Sequence, residues 1–158
     1  MIVTDSGPLN AFARIGRLDL LRQVVEVLTI PDAVYAELVA GGRNRPGAAE
    51  VEQGEWIHRG AVRDQAAVAQ LPAVLHLGER EAIVLADEFG AQLLIDEQRG
   101  RNVAAARGIP LVGSLHILAD AKRSGLIDRV RPIVAALLDA GYWFDEELLR
   151  SFFSDVGE

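Results

Sequence analysis

Short runs of apolar residues alternate along this chain with longer segments in which apolar residues recur every three or four positions. The short runs are residues 2–3, 25–30, 55–62, 91–95 and 109–112. Aliphatic and β-branched runs of this length are typical of buried strands. The pattern therefore predicts five strands, and an acidic residue, Asp5 or Asp96, follows the first and the fourth of them.

The longer segments predict helices. The clearest covers residues 77–90, in which Ala82, Ala86 and Phe89 share one face and Gly90 supplies a C-terminal stop. Further helices are predicted near residues 9–15, 18–24, 31–39, 48–53, 64–71, 103–108, 113–122, 128–138 and 145–153.

Strands that alternate with helices favour a parallel sheet whose two faces are both covered. We therefore expect an α/β fold: a single-domain, three-layer α/β/α sandwich with a mostly parallel central sheet. The chain of 158 residues has the usual size of one domain. We expect this domain to span residues 1–150 and a C-terminal tail to span residues 151–158.

The acids at the strand ends are the first candidates for chemistry. Ligands of open parallel sheets bind at the carboxyl ends of the strands, so Asp5 and Asp96 can share one crevice if their strands are neighbours. A structural alternative is that Asp5 caps the following helix, because Asp and Ser are both favoured caps. Ser6 could also serve as that cap and leave the Asp5 carboxylate free.

Three glutamates on predicted helices extend the set. Glu37 lies beside the apolar stripe of its helix, and Glu79 and Glu81 lie in the first turn of theirs. Two residues apart, Glu79 and Glu81 point in different directions, and Glu79 shares a side with Ala82 and Ala86. The alternative is that first-turn acids only offset the helix dipole, by about 0.3–1 kcal/mol.

Composition narrows the chemistry to hard, oxygen-bound cations. The sequence has no cysteine, which excludes disulfides and zinc–thiolate sites, and His58, His76 and His116 show no metal-ligand spacing. A GxxxxGK phosphate loop is also missing from the sequence. Clustered carboxylates suit Mg²⁺ or Mn²⁺, which activate water and stabilise charge on a phosphodiester.

The net charge of −7 is unusual for a protein that coats a nucleic acid, but carboxylates sequestered around cations are compatible with such a substrate. Residues 41–47 form a glycine-rich loop carrying Arg43 and Arg45. The loop can be a solvated connection or a mobile basic flap over a phosphate backbone. No apolar run reaches the roughly 20 residues of a membrane span, so we expect a soluble, cytoplasmic protein.

Several ordered blocks of the sequence resemble those of PIN domains. The blocks are residues 3–9, 30–38, 77–83 and 94–101, followed by residues 113–118 and 121–127, which resemble the tail of one prokaryotic PIN subfamily. PIN domains are metal-dependent ribonucleases, and many are toxins of toxin–antitoxin pairs. The resemblance implies a divalent-metal-dependent endoribonuclease that acts on RNA and has an antitoxin partner.

The resemblance also implies roles for individual residues. Asp5 and Asp96 would hold the principal Mg²⁺ or Mn²⁺, Glu37 and Glu79 would bind it directly or through water, and Ser6 would contact water or phosphate. The helix position that PIN domains commonly fill with Asp is Glu here. The resemblance leaves the identity of two ligands undecided: Glu81 competes with Glu79, and Glu97 replaces or assists Asp96. Candidates for the RNA backbone are Arg43, Arg45, Arg99 and Arg101.

Two other interpretations are compatible with these residues. A catalytically degenerate PIN module would bind RNA or a protein without cleaving. A phosphoacceptor domain also clusters acids, but it needs a lysine on a late strand, and the single lysine, Lys122, lies late in a predicted helix. The aromatic cluster 142–144 and the apolar stripe near residues 148–153 suggest a packed tail or a self-association face, so we expect a homodimer.

Overall fold

The structure is a computed structural model that describes residues 1–42 and 44–158. The strands in these residues are β1 (Ile2–Thr4), β2 (Leu28–Pro31), β3 (Ile57–Gly60), β4 (Gln92–Leu94) and β5 (Leu111–Val112). The helices are α1 (Ser6–Arg14), α2 (Leu18–Val25), α3 (Asp32–Val39), α4 (Ala48–Gln53), α5 (Gln65–Gln70), α6 (Leu77–Phe89), α7 (Gln98–Ala106), α8 (Ser114–Arg123), α9 (Arg131–Asp139) and α10 (Glu146–Asp155).

The strands form one sheet in the order β3-β2-β1-β4-β5, and every pairing is parallel. Thr4 pairs with Leu94, and the Thr4 hydroxyl donates a hydrogen bond of 2.9 Å to the Leu94 carbonyl. This bond fixes β1 and β4 against sliding. Asp5 and Asp96 therefore follow neighbouring strands at the same edge of the sheet, as the strand-end argument predicts.

Apolar side chains alternate between the two faces of the sheet, since successive residues of a strand point in opposite directions. Leu94 belongs to a core with α1, α2, α8 and α9, whereas Leu93 and Ile95 belong to a second core with α5, α6 and α7. The structure thus confirms the predicted α/β/α sandwich, and its sheet is entirely parallel.

Four predicted strands are longer than the observed ones, and those predicted for residues 25–30 and 55–62 differ most. The strand predicted for residues 25–30 begins only at Leu28, because α2 continues through Val25 and Glu26 turns the chain with a positive φ of 61°. The strand predicted for residues 55–62 is reduced to β3, whose first residue, Ile57, pairs with Leu28. Pairing across the sheet sets these limits, and local hydrophobicity does not reveal them.

The last helix runs through residue 151, where the tail was expected to begin. α10 spans that position, and Phe152 is buried in the first core. Residues of α10 on both sides of position 150 therefore pack against the first core.

A clamp formed by Glu158 and Lys122 fastens the end of the chain. The Glu158 carboxylate accepts hydrogen bonds from Lys122 Nζ (2.8 Å) and from the backbone N–H groups of Val130 (2.8 Å) and Arg131 (3.2 Å). Lys122 Nζ also donates to the Val156 carbonyl at 2.8 Å. Desolvation raises the Glu158 pKa, but the hydrogen bonds from Lys122 and the two N–H groups outweigh it and lower the pKa to about 2.

Among the described residues, none of the helices is both long enough and apolar enough to cross a bilayer.

Candidate metal centre

A cleft of about 260 Å³ opens at the carboxyl ends of β1 and β4. The residues that line it are Asp5, Ser6, Gly7, Pro8, Glu37, His76, Glu79, Asp96, Glu97 and Tyr142. The fold thus brings together Asp5 from the end of β1, Glu37 from α3, Glu79 from α6 and Asp96 from the end of β4. All four residues of the expected acidic quartet line one cleft.

Asp5 is the most buried acid of the cleft, with 6% of its surface exposed. It occupies the cap position of α1, yet its side chain makes no capping hydrogen bond, which rules out the capping alternative. Its Oδ1 is buried and has no hydrogen-bond partner among the described residues. Burial, followed by the charges of Glu79, Asp96 and Glu37, raises the pKa of Asp5 well above its usual range.

Asp96 is held in place by three donors. Its Oδ1 accepts from the Ser114 backbone N–H at 2.8 Å, and its Oδ2 accepts from the Ser114 hydroxyl at 2.5 Å and from the Tyr142 hydroxyl. Burial and then the charge of Asp96 raise the pKa of Tyr142, so its phenol stays a donor. Gly113 adjoins the same carboxylate, because a Cβ on Gly113 would lie 3.1 Å from Asp96 Oδ1.

Sequence reasoning missed both Ser114 and Tyr142. Ser114 lies two residues after the end of β5, as Asp96 does after β4, so the strand-end argument applied to Asp5 and Asp96 would have found it. Tyr142 lies 46 residues after Asp96, in the turn between α9 and α10. The neighbouring residues indicate an aromatic cluster, and they do not indicate that the Tyr142 hydroxyl donates a hydrogen bond to Asp96.

Glu37 and Glu79 each use one oxygen for a local contact. Glu37 Oε2 accepts from the Ser6 hydroxyl at 2.7 Å, and Glu79 Oε2 accepts from the His76 backbone N–H at 2.8 Å. Glu37 approaches α6 closely because residue 78 is glycine: a Cβ on Gly78 would lie 2.5 Å from Glu37 Oε1. No hydrogen bond is formed by Oε1 of either glutamate within the described part of the chain.

The two open alternatives have different outcomes. Glu81 is buried outside the lining of the cleft, and its carboxylate accepts the Ala33 N–H of α3 at 2.9 Å. The structure therefore brings Glu79 to the cleft and gives Glu81 the role of a brace between α6 and α3. Glu97 lines the cleft, but one of its oxygens caps α7 through the Gly100 N–H at 2.9 Å.

The arginines expected near RNA differ in their exposure to solvent. Arg101 is half-buried and donates from Nη1 to the Ile95 carbonyl at 2.6 Å, so it supports the end of β4. Arg99 and Arg45 are exposed. Arg43 lies outside the described residues.

The chemistry of the donor set fits a hard divalent cation. All the metal-ligand atoms that the four acids offer are carboxylate oxygens. Among the described residues Asp5 Oδ1 is buried without a hydrogen-bond partner, and three neighbouring carboxylates repel the Asp5 charge. Among the described residues no three such side chains already surround one point, so the ligands would have to draw together around an ion. Asp5 and Asp96 would hold it, with Glu37 and Glu79 beside them.

Comparison with known proteins places this cleft in a family context. A family model described as a PIN domain, DUF3368, matches residues 1–158. A PilT N-terminus domain protein, SSO1118, from the hyperthermophilic archaeon Sulfolobus solfataricus P2 has a similar structure, with a TM-score of 0.57 and 20% sequence identity over 77% of this chain and 93% of that one. This likeness is one of fold. No curated protein matches the chain. On the match across its whole length, the chain belongs to the PIN domain family.

Proposed function

We propose that this protein is a divalent-metal-dependent endoribonuclease that hydrolyses phosphodiester bonds of single-stranded RNA. The observation that supports this most strongly is Asp5 Oδ1, which is buried near three other carboxylates and has no hydrogen-bond partner among the described residues. Such a group costs stability unless a cation neutralises it, because desolvated like charges repel one another.

Within this proposal the cation supplies charge stabilisation on the phosphodiester and makes water acidic enough to attack it. Asp5 and Asp96 would hold the cation in the cleft that both residues line. Ser114 and Tyr142 keep the Asp96 carboxylate oriented through the hydrogen bonds described above. Ser6 keeps Glu37 oriented in the same way. None of these residues acts as a nucleophile.

Cleavage of a labelled single-stranded RNA with Mg²⁺ or Mn²⁺ tests the proposal. The substitutions Asp5→Asn and Asp96→Asn should each reduce cleavage to the background of a metal-free reaction, and EDTA should do the same to the wild type. Asp139→Asn is a matched control, because Asp139 is exposed at the end of α9 and outside the cleft. Activity that survives EDTA or either substitution in the cleft would refute the mechanism.

One observation favours a second candidate, a degenerate module that binds RNA or a protein without cleaving. Both oxygens of Asp96 already accept hydrogen bonds, and Oδ2 accepts two. If these bonds outcompete the cation, the cleft would bind Mn²⁺ weakly. Titration with Mn²⁺, followed by calorimetry, separates the two candidates.

We extend the proposal to partners on the basis of the family. The protein would act as the toxin of a toxin–antitoxin pair, with the antitoxin blocking the cleft, and it would form homodimers. Co-expression with the product of an adjacent reading frame should relieve growth inhibition that depends on Asp5. Light scattering at micromolar concentration tests the dimer, and a monomeric mass would contradict it.

A further inference from the structure

A second cleft adjoins the metal centre. It has a volume of about 330 Å³ and shares Asp96, Glu97 and Tyr142 with the first cleft. The other residues that line it are Gln98, Trp143, Phe144, Asp145 and Leu148. Whatever occupies the metal centre therefore lies beside a mostly apolar depression in the same surface.

The depression presents an exposed indole on a firm support. Trp143 is 76% exposed, although its two neighbours in the sequence are packed. Tyr142 and Phe144 contact each other edge to face with ring centroids 5.3 Å apart, Tyr142 is hydrogen-bonded to Asp96, and Phe144 is buried in the first core. The backbone on both sides of Trp143 is thus fixed while its ring faces solvent.

We infer that this second cleft is a nucleobase subsite, in which Trp143 stacks on a base of the single-stranded RNA adjacent to the bond that is cut. The inference rests on the proposed nuclease function, because the shared wall of the two clefts places a base here only if a phosphodiester lies at the metal centre. Aromatic side chains stack on bases of any identity, so the subsite would position the strand without selecting a sequence.

The cleft is lined by three acids, Asp96, Glu97 and Asp145, each of which already accepts a hydrogen bond from a backbone N–H, and one basic residue flanks it. Arg99 directly follows Gln98, is exposed, and makes no ion pair or hydrogen bond within the described residues. It is therefore free to contact a phosphate of the same strand.

The size of the patch argues against a protein occupant. A stable protein interface covers about 800 Å² per partner, with 20–30 residues on each side. Among the residues that line this cleft, only Trp143 (76%) and Leu148 (53%) are exposed large hydrophobic side chains. Two such side chains suffice for one base but fall well short of a protein interface.

Kinetics of RNA cleavage test the subsite. Replacing Trp143 with Leu should raise KM by about tenfold, the effect of losing one base stack, while Trp143→Phe should restore most of the loss. The value of kcat should change less than KM, because the metal centre is untouched. Leu138→Ala is a matched control, since Leu138 is also partly exposed (41%) but lies on α9 outside both clefts.

Tryptophan fluorescence gives a readout that needs no cleavage. The chain has two tryptophans, and Trp56 is buried with 5% exposed, so quenching by added RNA reports on Trp143. A short adenosine-rich single strand should quench the wild type and the Asp5→Asn variant, but not Trp143→Leu.

The outcomes distinguish this inference from the proposed function. Quenching without cleavage would keep base stacking on Trp143 but refute the nuclease, and with it the placement of that base beside a bond that is cut. Cleavage with unchanged KM in Trp143→Leu and no quenching would refute the subsite and leave the nuclease standing. Trp143 emission that shifts with protein concentration in the absence of RNA would assign the cleft to a contact between copies of the chain and overturn the inference.

Discussion

Two carboxylates of this protein, Asp5 and Glu158, are both largely removed from solvent but have opposite surroundings. Glu158 faces the Lys122 amine and two backbone N–H groups, and its pKa falls to about 2. Asp5 faces three other carboxylates, which raise its pKa, and its Oδ1 has no hydrogen-bond partner in the part of the chain that the structure describes. The donors around Glu158 come from the chain itself, whereas the charged groups that act on Asp5 within residues 1–42 and 44–158 are all carboxylates.

The contrast teaches which carboxylate serves stability and which serves binding. A buried acid with matched donors stabilises the folded state, because the donors favour its charged form more than water does in the unfolded chain. A buried acid among like charges lowers stability and persists only where something outside the chain offsets the cost. Experiments that add a cation near Asp5 or remove the Glu158 carboxylate test this interpretation directly.

The largest expected effect is stabilisation of the Asp5 cleft by metal. At a concentration of Mn²⁺ one hundred times its Kd, the free energy of unfolding should increase by about 2.7 kcal/mol. Thermal unfolding with and without Mn²⁺ measures this. The increment should vanish in Asp5→Asn and persist in Glu158→Gln, and an equal increment in both variants would remove the distinction between the two acids.

The next effect concerns the clamp. Glu158→Ala removes a charged acceptor from Lys122, Val130 and Arg131, which should lower the free energy of unfolding by about 1.5–3 kcal/mol, the usual range for hydrogen bonds to charged groups. Urea denaturation measures the loss. Glu147→Ala, an exposed acid on α10, is the control and should change stability little. A loss of similar size in the control would show that the clamp contributes nothing of its own.

A smaller effect is expected for the support of Asp96. Tyr142→Phe removes one of the hydrogen bonds to Asp96 and keeps the ring packed on Phe144. Because residues that orient metal ligands typically change metal affinity by 10- to 100-fold, we expect Mn²⁺ to bind about tenfold more weakly. Calorimetric titration measures the affinity. Tighter binding in this variant would mean that the phenol competes with the cation instead of orienting its ligand.

The smallest effect is a pH dependence confined to the clamp. The folded pKa of Glu158 is about 2 and its ordinary value is 4.5, so its contribution is fully present above pH 4.5 and is lost as the pH falls toward 2. The stability difference between the wild type and Glu158→Gln should therefore narrow on acidification below about pH 4.5. Urea denaturation at several pH values measures this difference, and a gap that stays constant over the range would contradict the assignment.

The fold and half of the site follow from arguments that use short stretches of sequence. Asp5 and Asp96 could be paired because parallel strands end at one edge of a sheet, and Glu79 could be preferred over Glu81 from helix geometry. Tyr142 could not be found, because its contact with Asp96 depends on how α9 and α10 pack against the sheet. The same limit explains the start of β2, which cross-strand pairing sets.

Arg101 shows a further limit. Its position after the acidic end of β4 suggests an RNA contact, yet in the structure its guanidinium donates a hydrogen bond to the Ile95 carbonyl. An arginine that donates to a backbone carbonyl and one that faces solvent differ in burial. The local pattern of a single sequence does not reveal that burial. Arg99, two residues earlier, remains exposed.

The clamp gives the molecule a chemical handle. Since Lys122 is the only lysine in the sequence, reagents that acylate amines have one side-chain target, and the Lys122 amine is hydrogen-bonded to Val156 and Glu158. The rate of acylation at Lys122, followed by mass spectrometry, would therefore record how often the end of α10 detaches from α8 and α9, independently of any event in the acidic cleft.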